Sequence, residues 1–143
     1  MSRSATVCVD ASIVVRHVAS PDDAEVAVLW GGWEVTRISL VAPSLLHHEV
    51  ANALHQYRRT GSRSTVALKT SLRAALALPI ALYDDDELHE QATDYADRFS
   101  LPATYDAHYL ALADRLGIEF WTADRRLANA VRPHLNWVHL IGE

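Results

Sequence analysis

Two acidic residues follow short apolar runs at the positions where strands are expected to end. Asp10 comes directly after the run Ala5–Val9, and Asp124 stands one residue beyond Ile118–Thr122. Both runs are rich in β-branched and aromatic residues and are too short for helices, so we predict that they are buried parallel strands. Parallel strands end at one edge of a sheet, where α/β proteins bind ligands, so we expect both carboxylates in one crevice.

Two further acids lie on predicted helices that reach the same edge. Glu49 lies in the second turn of a helix from Ser44 to about Thr60, which follows an apolar strand. Asp106 lies in the first turn of an amphipathic helix that ends at Gly117 as its C-cap. A helix that follows a strand starts where the strand ends, so Glu49 belongs at this rim. Asp106 lies at the same edge of the sheet only if the loop before its helix, through Ala103, returns across that edge.

Four carboxylates in one crevice predict a particular chemistry. They repel each other by several kcal/mol at an effective dielectric constant of about 20, so they need a cation or raised pKa values. Oxygen ligands without histidine or thiol favour a hard ion, Mg²⁺ or Mn²⁺, over zinc. Such an ion activates water and neutralises a developing phosphate charge, which is the chemistry of phosphodiester hydrolysis.

Each acid also has a structural interpretation when it is taken alone. Asp10 fits a turn at the end of a strand, and Asp106 and Asp124 fit the acidic first turn of a helix. A structural role explains Glu49 less well, because a half-buried glutamate in a helix usually needs a cation or a hydrogen-bond partner. The spacing alone therefore leaves a metal site and four structural acids as open alternatives.

The positions of several other polar residues indicate structural roles. The acidic run Asp84–Glu87 is typical of a helix start on a solvated face. His48 and His108 do not share a helix face with the neighbouring acid, and His47 is likewise a weak candidate for a base or ligand. Arginines at the tip of a predicted helical hairpin suit a helix C-terminus, or contacts with an RNA backbone: Arg58, Arg59 and Arg63. Arg125 and Arg126, beside Asp124, are better candidates for phosphate contact.

Length and composition bound the architecture. The 143 residues carry a net charge of −5 and are 50% hydrophobic, which predicts a single globular domain over residues 1–143. The one cysteine, Cys8, excludes an intrachain disulfide. Asp10 interrupts the first apolar run, and no apolar stretch approaches the ~20 residues that span a bilayer. We therefore expect a cytoplasmic protein without membrane contact.

The remaining elements complete an α/β pattern. Strands alternate with helices, which predicts a three-layer α/β sandwich with a central parallel sheet of four to five strands flanked by helices. Ser12 is the expected cap of a short first helix, and Ser20 and Pro21 are expected to start the second. Gly31 and Gly32 are expected to loosen or end that helix between Trp30 and Trp33, of which at least one should be buried.

Four segments resemble one family when they are taken in order. They are V-D-A-S at 9–12, H-E-V-A-N-A-L at 48–54, Y-D-A-H-Y-L-A-L-A at 105–113 and W-T-A-D-R-R-L at 121–127. Together they resemble PIN-domain proteins, and among these the VapC-type toxins of toxin–antitoxin pairs. The resemblance spans nearly the whole chain.

The resemblance implies a fold, an activity and partners. It implies a PIN-like parallel sheet, a ribonuclease that depends on Mg²⁺ or Mn²⁺, a homodimer, and a cognate VapB-type antitoxin that blocks the site. The family's four acids, as metal ligands and catalytic groups, correspond to Asp10, Glu49, Asp106 and Asp124. Its small hydroxyl positions near the metal correspond to Ser12 and Thr122.

Two other classes of function remain alternatives. A phosphatase with an aspartyl nucleophile also carries an acid after its first strand, but it needs a second acid two residues later, where this chain has Ser12. A PIN relative that binds RNA or a partner without turnover is the other alternative. The RNA target, the cleavage motif and the identity of the antitoxin do not follow from the residues.

Overall fold

The structure, a computed structural model, describes residues 5–142. Over these residues the chain forms five strands and seven helices in an alternating pattern. In chain order they are β1 (Thr6–Val9), α1 (Ala11–Ala19), α2 (Ala24–Val35), β2 (Ser39–Pro43), α3 (Leu46–Arg59), α4 (Thr65–Leu76), β3 (Ile80–Tyr83), α5 (Asp86–Arg98), α6 (Tyr105–Leu116), β4 (Glu119–Thr122), α7 (Arg125–Val131) and β5 (Val138–Leu140).

The strands form one sheet in the order β3-β2-β1-β4-β5, and every neighbouring pair is parallel. In the central pair, Val9 of β1 lies opposite Trp121 of β4. The next residue of β1 continues this register, because the amide of Asp10 donates to the carbonyl of Trp121 at 3.0 Å. The prediction of a parallel α/β sandwich with four to five strands is confirmed.

The chain changes direction across the sheet between β1 and β4. The first three strands are added towards one edge, in the order β1, β2, β3, whereas β4 is inserted on the other side of β1. Right-handed crossovers then place α1 to α4 on one face and α5 and α6 on the other. Accordingly, α1 packs on α3 and α4, whereas α6 packs on β1 and β2 and carries α5. The carboxyl ends of β1 and β4 therefore flank a switch point, where open α/β sheets bind ligands.

The core lies on both faces of the central strands. Cys8, Val9 and Phe120 have no solvent exposure, as expected for strands that are covered on both sides. Helices supply the other large, fully buried side chains: Ile13, Val14, Leu46, Val50, Leu88, Tyr109, Leu110, Leu112 and Val131. Seven consecutive residues of α6, from Ala107 to Ala113, are buried. Packing on most sides of the helix therefore fixes the position of its first turn.

The first two helices begin and end at different residues than predicted. The N-cap of α1 is Asp10, and Ser12 lies inside the helix, so the predicted cap at Ser12 is wrong. The N-cap of α2 is Asp23, whose carboxylate accepts a hydrogen bond from the amide of Val26 at 3.2 Å. An aspartate with this geometry satisfies an amide of the first turn, which explains why the helix does not start at Ser20.

The glycine pair does not end the second helix. Gly31 and Gly32 both lie within α2, which continues to Val35, so the predicted break is wrong. Trp30 and Trp33 are both buried, and the ring of His17 stacks on Trp30 with 3.9 Å between centroids. Tertiary packing of the two indoles outweighs the low helix propensity of two glycines, which costs about 1 kcal/mol each.

The helical hairpin and the acidic helix start agree with the sequence. The hydroxyl of Ser64 caps α4 through the amide of Ala67 at 3.1 Å. Asp85 caps α5 through the amide of Leu88 at 2.8 Å, and it also receives two hydrogen bonds from the guanidinium of Arg115. These contacts lower the pKa of Asp85 to about 2. The acidic run is therefore a helix start, to which Asp85 adds an ion pair with α6.

No helix within residues 5–142 has both the length and the apolar character needed to cross a bilayer.

Candidate active site

The ends of β1 and β4 bring two carboxylates together at the switch point. Asp10 follows the last residue of β1 and is 5% exposed. Asp124 follows β4 and caps α7, where its carboxylate accepts a hydrogen bond from the amide of Leu127 at 3.1 Å. Asp124 therefore does start a helix, as one interpretation predicted. This capping bond uses one of its two carboxylate oxygens, and the carboxylate still lies near Asp10.

Two hydroxyl groups hold the side chain of Asp10 in one orientation. Ser12 Oγ and Thr122 Oγ1 each donate to Asp10 Oδ2 at 2.7 Å. Each hydroxyl in turn accepts a backbone amide at 2.9 Å, from Ala123 and Asp124 respectively. Because the amides can only donate, both hydroxyl protons are directed to the carboxylate. The two predicted hydroxyl residues thus connect the ends of both central strands to Asp10.

The protonation of Asp10 reflects two opposing influences. Burial raises its pKa, and the nearby negative charge of Asp124 adds to this effect. The hydrogen bonds from Ser12 and Thr122 act in the opposite direction, because they stabilise the ionised form. The net direction is upward, which means that the folded protein holds this charge at an energetic cost.

Glu49 reaches the same place from α3. Tyr109 on α6 donates its phenolic hydrogen to Glu49 Oε1 at 2.6 Å. Burial raises the pKa of Glu49 to about 7, and the charges of Asp10 and Asp106 raise it as well, whereas the bond from Tyr109 lowers it. The pKa of Glu49 is therefore raised towards neutrality, as expected for a partly buried carboxyl group among other acids.

Asp106 completes the set from the first turn of α6. Burial raises its pKa to about 6, with further increases from the charges of Asp10 and Asp124 and a decrease from Arg126. The N-cap of this helix, Thr104, makes no side-chain capping bond. The connection from α5 brings this helix start to the carboxyl edge of the sheet, as the sequence argument required.

All four carboxylates line one cavity of about 370 Å³, which we call the acidic cavity. Its other polar and aromatic walls come from Ser12 and Arg16 on α1 and from Tyr57 on α3. Arg16 also lies 3.8 Å from Asp23, a long ion-pair distance at a partly exposed position. The structure therefore gathers the four predicted acids and adds one cation to their wall.

The sequence argument missed three residues of this site: Arg16, Tyr57 and Tyr109. Tyr109 belongs to the apolar face of α6 by its spacing, and it is fully buried. It lies three residues after Asp106, on the same helix face, and this spacing was the available signal. Arg16 lies four residues after Ser12 on α1, and the same periodicity would have found it.

The donor set fits a hard divalent ion, although it does not enclose one. Within residues 5–142, no three His, Cys, Asp or Glu side chains surround a common point at coordination distance. Mg²⁺ usually binds proteins through one or two carboxylates and retains several waters, so a lined cavity suffices for it. Oxygen-only donors with pKa values raised by mutual repulsion are the groups whose charge such an ion would stabilise.

The bond between Tyr109 and Glu49 gives a direct test of the site's electrostatics. Tyr109→Phe should raise the pKa of Glu49 further above about 7, because the bond that favours the ionised form is lost. Carboxyl ¹³C NMR titration of the metal-free protein measures this change. Tyr95→Phe is the matched control, since Tyr95 donates to Asp114 at 2.6 Å outside the acidic cavity. An unchanged Glu49 titration in Tyr109→Phe would contradict the proposed coupling.

Comparisons with known proteins place the chain in one family. The PIN domain family matches residues 7–133 of the chain. The chain belongs to the PIN-domain family. Ribonuclease VapC3 of two Mycobacterium tuberculosis strains, CDC 1551 / Oshkosh and H37Rv, is 30% identical over 124 residues, which is 87% of this chain and 86% of the relative. The resemblance to VapC-type PIN proteins is confirmed.

Two solved structures share this PIN fold. PAE2754 from Pyrobaculum aerophilum has a TM-score of 0.65 at 24% identity, with 93% of this chain and 91% of that chain covered. VapC20 of Mycobacterium tuberculosis, described as a toxin that cleaves the Sarcin-Ricin loop, has a TM-score of 0.64 at 20% identity, with 87% and 95% covered. At these identities the likeness is one of fold.

The histidines of this PIN domain lie outside the acidic cavity. His108 is buried, and its ring contacts the carbonyl of Thr104 at 2.6 Å and the ring of His89 at 2.9 Å. His48 is exposed and His47 is half-buried on α3, and neither lines the acidic cavity. The placement of these three side chains agrees with the expectation that they are bystanders.

The arginines divide into two groups. Those at the hairpin tip make local contacts: Arg58 donates to Thr65, Arg59 donates to Gln56, and Arg63 lies over the ring of Tyr57. Arg125 and Arg126 are both exposed on α7. Arg126 lines a second cavity beside Asp106 and Asp124, which makes it the better placed of the two for a bound phosphate.

Proposed function

We propose that this PIN-domain protein is a metal-dependent endoribonuclease and the toxin of a toxin–antitoxin pair. The observation that carries the proposal is the acidic cavity, in which Asp10, Glu49, Asp106 and Asp124 meet at the switch point of the sheet. The relationship to Ribonuclease VapC3 supports RNA as the substrate. RNA as substrate in turn implies action in the cytoplasm.

Three of the carboxylates are the proposed principal holders of the cation, with Glu49, the fourth predicted ligand, beside them. Asp10 and Asp124 come from the switch point and Asp106 from the first turn of α6; Asp124 raises the pKa of Asp10, and Asp10 and Asp124 both raise that of Asp106. We assign Mg²⁺ as the natural ion, with Mn²⁺ as a substitute, because every donor is a carboxylate oxygen. When bound, such an ion would neutralise charge on the phosphate and lower the pKa of a water molecule.

Glu49 is the proposed general base. Its carboxylate lines the acidic cavity with the other three acids, and Tyr109 fixes its orientation, so it is placed to accept a proton from a water molecule in that cavity. In this mechanism Glu49 accepts a proton from the attacking water, while the water oxygen forms a bond to phosphorus and the leaving ribose oxygen departs. We assign the attack to water and not to a side chain, because Ser12 and Thr122 are each held between Asp10 and a backbone amide and therefore position the Asp10 carboxylate.

Two arginines flank the proposed reaction centre. Arg16 lines the acidic cavity on the α1 side, and Arg126 adjoins Asp106 and Asp124 on the α7 side. Arginine binds phosphate oxygens in a planar, bidentate manner, which suits neighbouring phosphates of a single strand. In a protein of net charge −5, these two cations beside the carboxylates would supply a local attraction for the RNA phosphates.

The antitoxin and the dimer are parts of the same proposal. A VapB-type antitoxin would inhibit the protein by covering the acidic cavity, and a homodimer is the expected assembly. A phosphatase with an aspartyl nucleophile is disfavoured, because the side chain two residues after Asp10 is Ser12, and its hydroxyl serves Asp10 as a hydrogen-bond donor.

A cleavage assay tests the proposal. Purified protein is incubated with structured and single-stranded RNAs in Mg²⁺, Mn²⁺ or EDTA, and the products are mapped by gel electrophoresis. We expect internal cuts in Mg²⁺ or Mn²⁺, none in EDTA, and a loss of at least about 10³-fold in rate for Asp10→Asn. Binding of RNA without any metal-dependent cleavage would favour the non-catalytic PIN relative. Cleavage that Asp10→Asn leaves intact would indicate a contaminating nuclease.

A further inference from the structure

A second cavity adjoins the acidic cavity and shares two of its carboxylates. Its volume is about 320 Å³, and its walls include Asp106 and Asp124. The remaining walls come from the α5–α6 connection and from α7: Phe99, Leu101, Pro102, Arg126, Leu127 and Ala130. We call this the Phe99 cavity. Since both cavities contain Asp106 and Asp124, these two acids lie on the boundary between them.

The chemistry of the Phe99 cavity differs from that of the acidic cavity. Apart from the two shared acids and Ser100, its lining side chains are apolar except for Arg126. Arg126 lies close enough to Asp106 to lower the pKa of that carboxyl group. The cavity thus presents an apolar surface with one cation at the edge nearest the carboxylates.

The wall formed by the α5–α6 connection is held in place by the backbone. The amide of Leu101 donates to the carbonyl of Ala96 at 2.9 Å, and the amide of Ser100 donates to that of Asp97 at 3.2 Å. With Ser100 at a φ of 52°, this is the Schellman arrangement that ends a helix. Ser100 adopts a backbone conformation that usually belongs to glycine, at a cost on the order of 1 kcal/mol. The connection is therefore a built wall with a fixed path.

The ring of Phe99 is also held by its neighbours. It stacks on Tyr95 with 6.2 Å between centroids, His134 lies at 5.8 Å, and the guanidinium of Arg98 lies 4.8 Å from its centroid. These contacts restrain the ring while it lines the cavity. A preformed aromatic and apolar wall binds a flat ligand with little loss of conformational entropy.

We propose that the Phe99 cavity binds the nucleobase of a nucleotide adjacent to the scissile phosphate. This inference rests on the proposed ribonuclease function. A phosphate held at the carboxylates places its neighbouring nucleotides on either side of Asp106 and Asp124, and on the α7 side that position is the Phe99 cavity. The volume exceeds that of a single base, the apolar walls suit its faces, and Arg126 suits the attached phosphate.

The composition of the wall indicates how the base would be selected. With few hydrogen-bonding side chains, the cavity would discriminate by contact area and shape more than by the Watson–Crick edge. Stacking of a base on an aromatic side chain is worth about 1–3 kcal/mol per base in single-stranded recognition, and Phe99 is the aromatic residue of this wall. We therefore expect a preference at one position next to the cut that depends on the size of the base.

The test fills the cavity without altering a carboxylate. Ala130→Phe places a ring in the Phe99 cavity from an exposed position of α7, and Asn129→Phe is the matched control on the same helix, outside both cavities. Short RNAs carry either the natural base or an abasic ribose at each position next to the cut. The readouts are kcat/KM in Mg²⁺ and the dissociation constant from fluorescence anisotropy without metal. Circular dichroism confirms that both variants are folded.

We expect removal of one base to lower kcat/KM of the wild type by about tenfold, within the 5- to 150-fold that such contacts allow. Ala130→Phe should cleave the intact RNA at the rate of the abasic RNA and be insensitive to the missing base, whereas Asn129→Phe should match the wild type. Equal base dependence in Ala130→Phe and wild type would overturn the proposal. The proposal would also be overturned if Ala130→Phe were no longer inhibited by the antitoxin but still distinguished intact from abasic RNA. The Phe99 cavity would then be a binding site for the antitoxin and not for a base.

The two readouts separate failure of this inference from failure of the proposed function. A wild type that binds RNA with a base dependence abolished by Ala130→Phe, but that cleaves nothing, would refute the ribonuclease and retain the base site. A wild type that cleaves RNA with no base dependence at either neighbouring position would retain the ribonuclease and refute the base site.

Discussion

Asp106→Asn is expected to lower kcat for RNA cleavage by about 10³-fold, which corresponds to about 4 kcal/mol of lost transition-state stabilisation. The carboxylate lies in the acidic cavity with a pKa of about 6, raised by burial and by two other acids. RNA binding should be unchanged or tighter in this variant, because one negative charge near the phosphate is removed. Single-turnover cleavage and equilibrium binding of the same RNA measure the two effects separately.

The control for this variant is another acid in the first turn of a helix. Asp86 lies at the start of α5, so Asp86→Asn also removes a charge that interacts favourably with a helix dipole. It lines neither cavity and should leave cleavage intact. If Asp106→Asn retains near-normal turnover while Asp10→Asn does not, Asp106 is a helix-start residue and the catalytic set contains three acids.

Metal-free protein is expected to lose stability as the pH rises from about 4 to about 7. The folded pKa values of Glu49 and Asp106 are about 7 and about 6, whereas unfolded carboxyl groups titrate near 4. The folded state therefore binds more protons than the unfolded state in this window, and stability present below pH 4 is lost as these groups ionise. The combined loss is on the order of 2 kcal/mol after solvent screening, and urea unfolding at several pH values measures it.

The Asp85–Arg115 ion pair provides an internal contrast with the opposite sign. The pKa of Asp85 is lowered to about 2, so its contribution is present above pH 4 and is lost only as the pH falls towards that value. Asp85→Asn should therefore change acid unfolding and leave the slope between pH 4 and pH 7 unchanged. A flat stability profile in this upper window would contradict the strain assigned to Glu49 and Asp106.

Divalent ions should restore the lost stability at neutral pH. Mg²⁺ at 100 times its dissociation constant stabilises the folded state by about 2.7 kcal/mol, which raises Tm by about 5–10 °C for a chain of this size. The rise should be small at pH 5, where protonated carboxyl groups compete with the ion. Asp10→Asn and Asp124→Asn should each remove most of it. If Mg²⁺ raised the Tm of both variants as much as that of the wild type, the ion would bind outside the acidic cavity.

Strand ends were the most informative feature of the sequence. The runs before Asp10 and Asp124 predicted two strands of one parallel sheet, and in the structure β1 and β4 are strands of that sheet and pair with each other. A buried parallel strand is specified by continuous apolar character and short length, which are local properties. The place of Asp106 was less direct, since it depended on the path of the α5–α6 connection, which only the assembled fold determines.

Local patterns failed where tertiary contacts decided the outcome. Gly31 and Gly32 signalled a helix end, but the packing of Trp30 and Trp33 carries α2 through them. Tyr109 matched an apolar helix face so well that its hydroxyl was overlooked, although Glu49 needed a partner. A periodic pattern identifies which face of a helix is buried. It does not identify the partner of a polar atom at the end of a buried side chain.

The order of the strands has a consequence for the synthesis of the protein. Asp10 and Glu49 belong to the first half of the chain, but β4, which lies beside β1 at the centre of the sheet, spans Glu119–Thr122 near its end. Because a chain emerges from the ribosome with its N-terminus first, β1 remains without this neighbour until about residue 124 has emerged. The acidic cavity also contains Asp124, so its four carboxylates cannot come together on a nascent chain before that residue has left the ribosome.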